Sequence, residues 1–164
     1  MKLYLLILTI ILLISNNILA QDTLHVPNQY STIQSAINSA NNGDIVLVAD
    51  GTYLENINYN GKAITVASHF FVDGNTSHIE NTIIDGSLPT NPDYGSVVMF
   101  NHLEDSTSVL CGFTITKGTG TRNGAFREGG GILITQASPI ISNNIIEFNQ
   151  VVGDDAVYGG AIYA

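Results

Sequence analysis

Three charged residues fall within one glycine-rich stretch, Gly118 to Gly130: Arg122, Arg127 and Glu128. An arginine can grip an oxygen-bearing ligand through paired donors, and a neighbouring carboxylate can accept in return. Loops carried by a rigid scaffold are where binding residues tend to sit. Arg122, Arg127 and Glu128 are therefore the expected ligand-binding residues. Cleaving a sugar chain asks for more, namely two carboxylates, or a carboxylate with an arginine, converging on one cleft. Asp85, Glu104 and Asp105 complete the set of candidates. Which of the six would be catalytic stays unassigned. Charged residues in loops are also commonly just solvated.

Other chemistry is sparser. His25, His69, His78 and His102 lack metal-ligand spacing such as H-x₃-H. Asp154 and Asp155, preceded by Gly153, could offer oxygen ligands to Ca²⁺, and no other cofactor is expected. Tyr53, Tyr59, Tyr94, Tyr158 and Tyr163 could stack on sugar rings if they shared one face; tryptophan is absent. Cys111 is the sole cysteine, so no internal disulfide can form, and its place in an apolar run marks a small buried side chain.

The chain begins with Lys2, the apolar run Leu3 to Ile14, polar Ser15-Asn16-Asn17, and Ala20 as a cleavage residue. That order predicts a signal peptide over 1–20 and an exported protein, secreted or held at the cell surface. Nothing after Gln21 is apolar enough to cross a bilayer as a helix. The full chain carries a formal net charge of −9. Loss of Lys2 with the leader leaves four basic against fourteen acidic residues, a net of −10. Nucleic acid and anionic membranes are disfavoured as partners, since both need a basic footprint.

Residues 21–164 suffice for one domain. Ser31 and Gln34 have capping-box spacing, and Ile33, Ala36, Ile37 and Ala40 form one apolar stripe; together they predict a helix over about 31–42. Beyond it the period changes to short runs such as Ile45 to Ala49, Ala63 to Ala67, Thr82 to Ile84, Val97 to Phe100, Ser108 to Thr116 and Ile132 to Thr135. Gly, Asn and Asp separate them, as strand corners require. Gly129-Gly130-Gly131-Ile132 recurs as Gly159-Gly160-Ala161-Ile162, and asparagines 60, 81, 143, 144 and 149 sit at corners where side-chain amides could pair between layers. A repeat on this scale predicts an all-β solenoid, specifically a right-handed parallel β-helix closed by a short N-terminal capping helix.

The run Val26-Pro27-Asn28-Gln29-Tyr30-Ser31-Thr32-Ile33-Gln34-Ser35-Ala36-Ile37, with Asn42-Gly43-Asp44-Ile45-Val46-Leu47-Val48, resembles the N-terminal cap of right-handed parallel β-helix proteins of the pectin-lyase-like superfamily. Gly51-Thr52-Tyr53-Leu54-Glu55-Asn56-Ile57, Lys62 to Val66, Gly112 to Thr116 and Ser138 to Asn144 extend the resemblance to exported bacterial members over nearly all of 26–164. It implies an exported or cell-surface protein that binds or displays, with polysaccharide as the partner and a flat strand face tracking the polymer. The alternatives it implies are a polysaccharide lyase or glycoside hydrolase, with catalytic residues mostly beyond 164, or a purely structural stalk. An N-terminal fragment is expected, with further coils or a partner chain at the C-terminal end.

Overall fold

The computed structural model describes residues 20–153 and 156–164. The expected leader, apart from Ala20, and the Asp154-Asp155 pair lie outside the described residues. Short β-branched runs broken by glycine and asparagine corners cannot sustain long strands, and the chain instead makes many brief ones. Residues β1 (Thr23–Val26), β2 (Ile45–Val48), β5 (Thr65–Ser68), β9 (Val109–Cys111) and β14 (Ile140–Ser142) form a first sheet in that order. A second contains β3 (Gly51–Leu54), β6 (Thr82–Asp85), β10 (Thr114–Thr116) and β15 (Ile145–Glu147). A third contains β4 (Ile57–Asn58), β8 (Val98–Phe100), β13 (Ile132–Ile134) and β17 (Ile162–Tyr163). Every pairing within these three sheets is parallel. After β1 the chain visits the three sheets in the same order four times, each circuit laid on the one before. The protein is thus all-β in class, dominated by parallel sheets with few helices.

The register explains the core. Leu24, Val46, Val66, Leu110 and Ile141 are successive partners along the first sheet. Tyr53, Ile84, Ile115 and Ile146 line up along the second, and Ile57, Val98, Ile132 and Ile162 along the third. Val46, Val66, Ile84, Leu110, Ile115, Ile57, Val98 and Ile132 are wholly buried. Each apolar rung therefore covers the next, and full burial of one such side chain contributes about 1.5–3 kcal/mol.

The first circuit has no earlier circuit beneath it, and the helix α1 (Ile33–Ser39) covers its open end with Ile33, Ala36 and Ile37. This is shorter than the expected 31–42. The Thr32 hydroxyl accepts from the Ser35 amide and takes the capping role expected of Ser31. Gln34 does not complete a capping box. Its side chain accepts from Asn58 N (2.7 Å) and donates to Asn58 O (3.1 Å), reproducing strand pairing on the free edge of β4. Glu55 accepts from the amides of Ile33 and Gln34, both at 2.9 Å, while Lys62 Nζ donates to the carbonyls of Ile37, Asn38 and Ala40 at 2.7–2.8 Å. The acid meets the positive end of the helix and the base its negative end.

Several elements differ from expectation. Thr23–Val26 is a strand placed ahead of the helix. Two short helices, α2 (Phe70–Asp73) and α3 (Ser77–Asn81), interrupt the corner between β5 and β6. Gly118 to Gly130 is not an open loop: it holds the hairpin strands β11 (Gly120–Asn123) and β12 (Phe126–Glu128). With β7 (Tyr94–Gly95) and β16 (Ala156–Tyr158) they make a fourth sheet. The corner asparagines do not pair amide to amide between layers: Asn60 Nδ2 donates to Asn38 Oδ1 on the capping helix at 3.4 Å, and Asn144 and Asn149 bond backbone of the preceding circuit, through Phe113 N, Leu110 O, Gly118 N and Ile115 O. An amide pair between circuits joins Asn58 to Asn101 at 3.0 Å.

The repeated glycine phrases now have a cause. Gly130 N donates to Gly159 O (2.9 Å), and Gly131 N to Gly160 O (3.1 Å), so backbone lies directly on backbone. A Cβ added to Gly130 would sit 2.2 Å from Gly160 O. Gly130→Ala is expected to lower stability by about 2 kcal/mol or more in denaturant unfolding, because the clashing atoms are main chain. Ile37→Asp is expected to cost at least about 3 kcal/mol and to expose dye-binding apolar surface. Unchanged melting of the Ile37 variant would contradict the capping role of α1.

Candidate functional site

The expected binding residues meet in the fourth sheet, but largely to hold it together. Arg122 and Arg127 face each other across the hairpin. Arg127 is buried, donating through Nη1 to the carbonyls of Pro92 (2.8 Å) and Gly120 (2.9 Å), with Nη2 3.4 Å from Asp93 Oδ1. Arg122 reaches the same Asp93 oxygen through Nε at 3.1 Å. Glu128 is also buried and accepts from Asn123 Nδ2 at 3.2 Å; its charge pushes the Tyr163 phenol upward. The hairpin is thereby fastened to the 86–95 loop.

Asp85, Glu104 and Asp105 are scattered. Burial opposes ionisation of Asp85, yet hydrogen bonds from Lys117 Nζ (2.6 Å) and from Ser87 outweigh it and hold the carboxyl below its usual range. Glu104 is buried and braces a turn by accepting from the amides of Gly61 and His102. Asp105 closes a turn onto Thr107. None of these shares a cleft with another. The tyrosines do not share a face either: Tyr59 is wholly buried against Phe100, its ring centroid 4.3 Å away.

Two carboxylates do converge, at residues the sequence did not single out. His78 on α3 places Nδ1 2.5 Å from Asp50 Oδ1 and Nε2 3.3 Å from Asp73 Oδ2. The Asp50 hydrogen bond, first, and the charges of Asp50 and Asp73 raise the imidazole pKa. The Asn75 backbone amide and the nearby His78 and His69 hold Asp73 low. With both ring nitrogens engaged, His78 works as a clasp tying the α2–α3 insertion, which buries no side chain of its own, to the first circuit. Among the described residues no His, Cys, Asp or Glu cluster could hold a metal ion, and no helix is long and apolar enough to cross a membrane.

A concave feature with an apolar wall lies elsewhere, on the outer side of β4. Val98 and Phe100 point into the core, so Met99 and Leu133 point outward from the third sheet. The hairpin covers Met99, with Thr121 Oγ1 3.6 Å from its Sδ, and both Met99 and Leu133 are buried. No hairpin crosses the first circuit. What remains is a groove of about 520 Å³, floored by Asn58 and Met99, closed at one end by Thr32 and Gln34, and walled by Leu54, Leu88 and Tyr94. Those three wall residues are 57%, 69% and 53% exposed, unusual for large apolar side chains gathered in one place. Glu55 and Asn56 complete the polar floor, and Asn56 Nδ2 donates to Ser96 O at 3.0 Å. Tyr94 is one of the tyrosines the sequence offered for stacking on sugars, whereas Leu88 carried no signal beyond its Pro/Asn/Asp-rich connection, and neither could be placed opposite Leu54.

No protein-family model matches the chain, and no curated protein or solved structure is significantly similar to it.

Two outcomes follow from these contacts. Arg127→Met should destabilise by about 2 kcal/mol, since it strands the buried Gly120 carbonyl and frees that of Pro92, whereas Arg122→Met should cost under about 1 kcal/mol; denaturant titration of both would reveal equal losses if the hairpin depended on the two alike. The His78 contribution is complete below the ordinary imidazole value of about 6.5 and disappears as pH rises through the raised folded value. That of Asp73 is present above about 3.9 and fades as pH falls through its lowered value. Amide exchange of residues 69–81, corrected for intrinsic rate, should therefore be slower at pH 6 than at pH 9, and His78→Gln should erase the difference.

Proposed function

We propose that the four circuits are turns of a right-handed parallel β-helix of the pectin-lyase-like kind, exported to the medium or the cell surface, and that the protein binds or displays carbohydrate there. The cyclic order of the three parallel sheets supports the helix, and crossovers between parallel strands of one sheet are right-handed in about 98% of cases. The leading Lys2 and apolar run support export.

The observation that carries the binding reading is the groove beside the capped end. Its exposed tyrosine and leucines suit the apolar faces of sugar rings, and its amides and hydroxyls suit their edges. Binding is favoured over cleavage because the candidate carboxylates Asp85, Glu104, Asp105 and Glu128 are bonded to separate structural partners. Electrophoresis of the full chain through gels cast with different polysaccharides should show retardation in at least one, without release of reducing or unsaturated ends. Release of such ends would replace binding with catalysis, and free migration in every gel would remove carbohydrate from consideration.

A further inference from the structure

The lining of the groove narrows the ligand class. It contains no lysine, arginine or histidine. Elsewhere, among the described residues, the lysines and arginines have partners: Lys62 sits on the carbonyls ending α1, Lys117 on Asp85, and Arg122 and Arg127 on the Asp93 side of the hairpin. The formal charge nearest the ligand space is Glu55, whose two oxygens already accept from the start of α1. An anionic chain entering here meets a negative wall on a protein of net charge −9 and finds no counter-charge.

What the groove does offer is neutral. Gln34, Asn58 and Asn56 hold their amides rigidly through bonds to backbone and to Asn101, forming a fixed polar floor. Across it, the hydroxyls of Thr90 and Tyr94 and the Nδ2 of Asn91 make no hydrogen bond to another described residue and are placed to recognise a ligand. Leu54, Leu88 and Tyr94 supply apolar walls. Met99, under the hairpin, and Leu133 are both buried on the outer face of the third sheet, so an extended polymer cannot follow that face from one circuit to the next.

We infer that the groove takes a short stretch of an uncharged, hydroxyl-rich glycan and rejects polyuronates, with Tyr94, Leu54 and Leu88 receiving ring faces and Thr90 and Asn91 bonding hydroxyls. The inference rests on the carbohydrate-binding reading above.

The test is calorimetry of the full chain at low salt against gluco-, xylo- and manno-oligosaccharides of four to six units, with oligogalacturonate in parallel. One neutral series should bind, Tyr94→Ala and the loop variant Leu88→Ser should each weaken it at least tenfold without moving the melting temperature, and oligogalacturonate should give no heat. Binding of oligogalacturonate would overturn the ligand class while leaving carbohydrate binding intact. Neutral binding that neither variant weakens would overturn the site. Silence from every oligosaccharide and every polysaccharide gel would take the carbohydrate reading down together with this one.

Discussion

A parallel stack of short strands shares one physical constraint throughout: each circuit buries its apolar rung and satisfies its backbone only against its neighbours. Leu24, Val46, Val66, Leu110 and Ile141 in the first sheet, with their counterparts in the other two, are partners across layers and not along the chain. The first circuit lacks a neighbour on one side, and much of the local sequence there answers that lack. Helix α1 covers the rung, Gln34 stands in for a missing strand on β4, and Glu55 and Lys62 hold the helix by its two ends. At the opposite edge, Ile140, Ile145 and Ile162 remain well exposed.

The same constraint shapes the outer surface. From the second circuit on, connections between the second and third sheets are long and fold into a sheet of their own, bonded to the body through Ser96–Thr121 and the stacked glycines. That sheet converts the outward face of β8 and β13 into a second buried layer. The first circuit, whose connection from β3 to β4 is short, leaves its outward face uncovered. The groove is therefore a by-product of loop-length differences, framed by the cap on one side and the roof on the other. Charges that look like a ligand grip in sequence are spent on fastening the roof, since Arg127 could not be buried there without Pro92 O, Gly120 O and Asp93.

The chain's own pattern determined that strands would be short, that most runs from Ile45 onward would pair as apolar rungs, and that a helix carrying Ile33, Ala36 and Ile37 would precede them, because periodicity and turn chemistry are local properties. The near-identical spacing of Leu110 to Ile141, Ile115 to Ile146 and Ile132 to Ile162, about 30 residues each, made the last two circuits legible. Between earlier circuits the spacing is uneven, about 20 residues from Val46 to Val66 and about 40 from Ile57 to Val98, so no repeat could be read there. The tertiary structure alone decided that Gln34 would pair with a strand edge, that Arg127 and Glu128 would be buried, that His78 would meet Asp50, and that Leu54 would face Leu88 and Tyr94. Apart from the bonds within the hairpin, Arg127 to Gly120 and Asn123 to Glu128, those contacts join residues about 24 to 40 positions apart along the chain, and which of them meet depends on the lengths of the intervening loops.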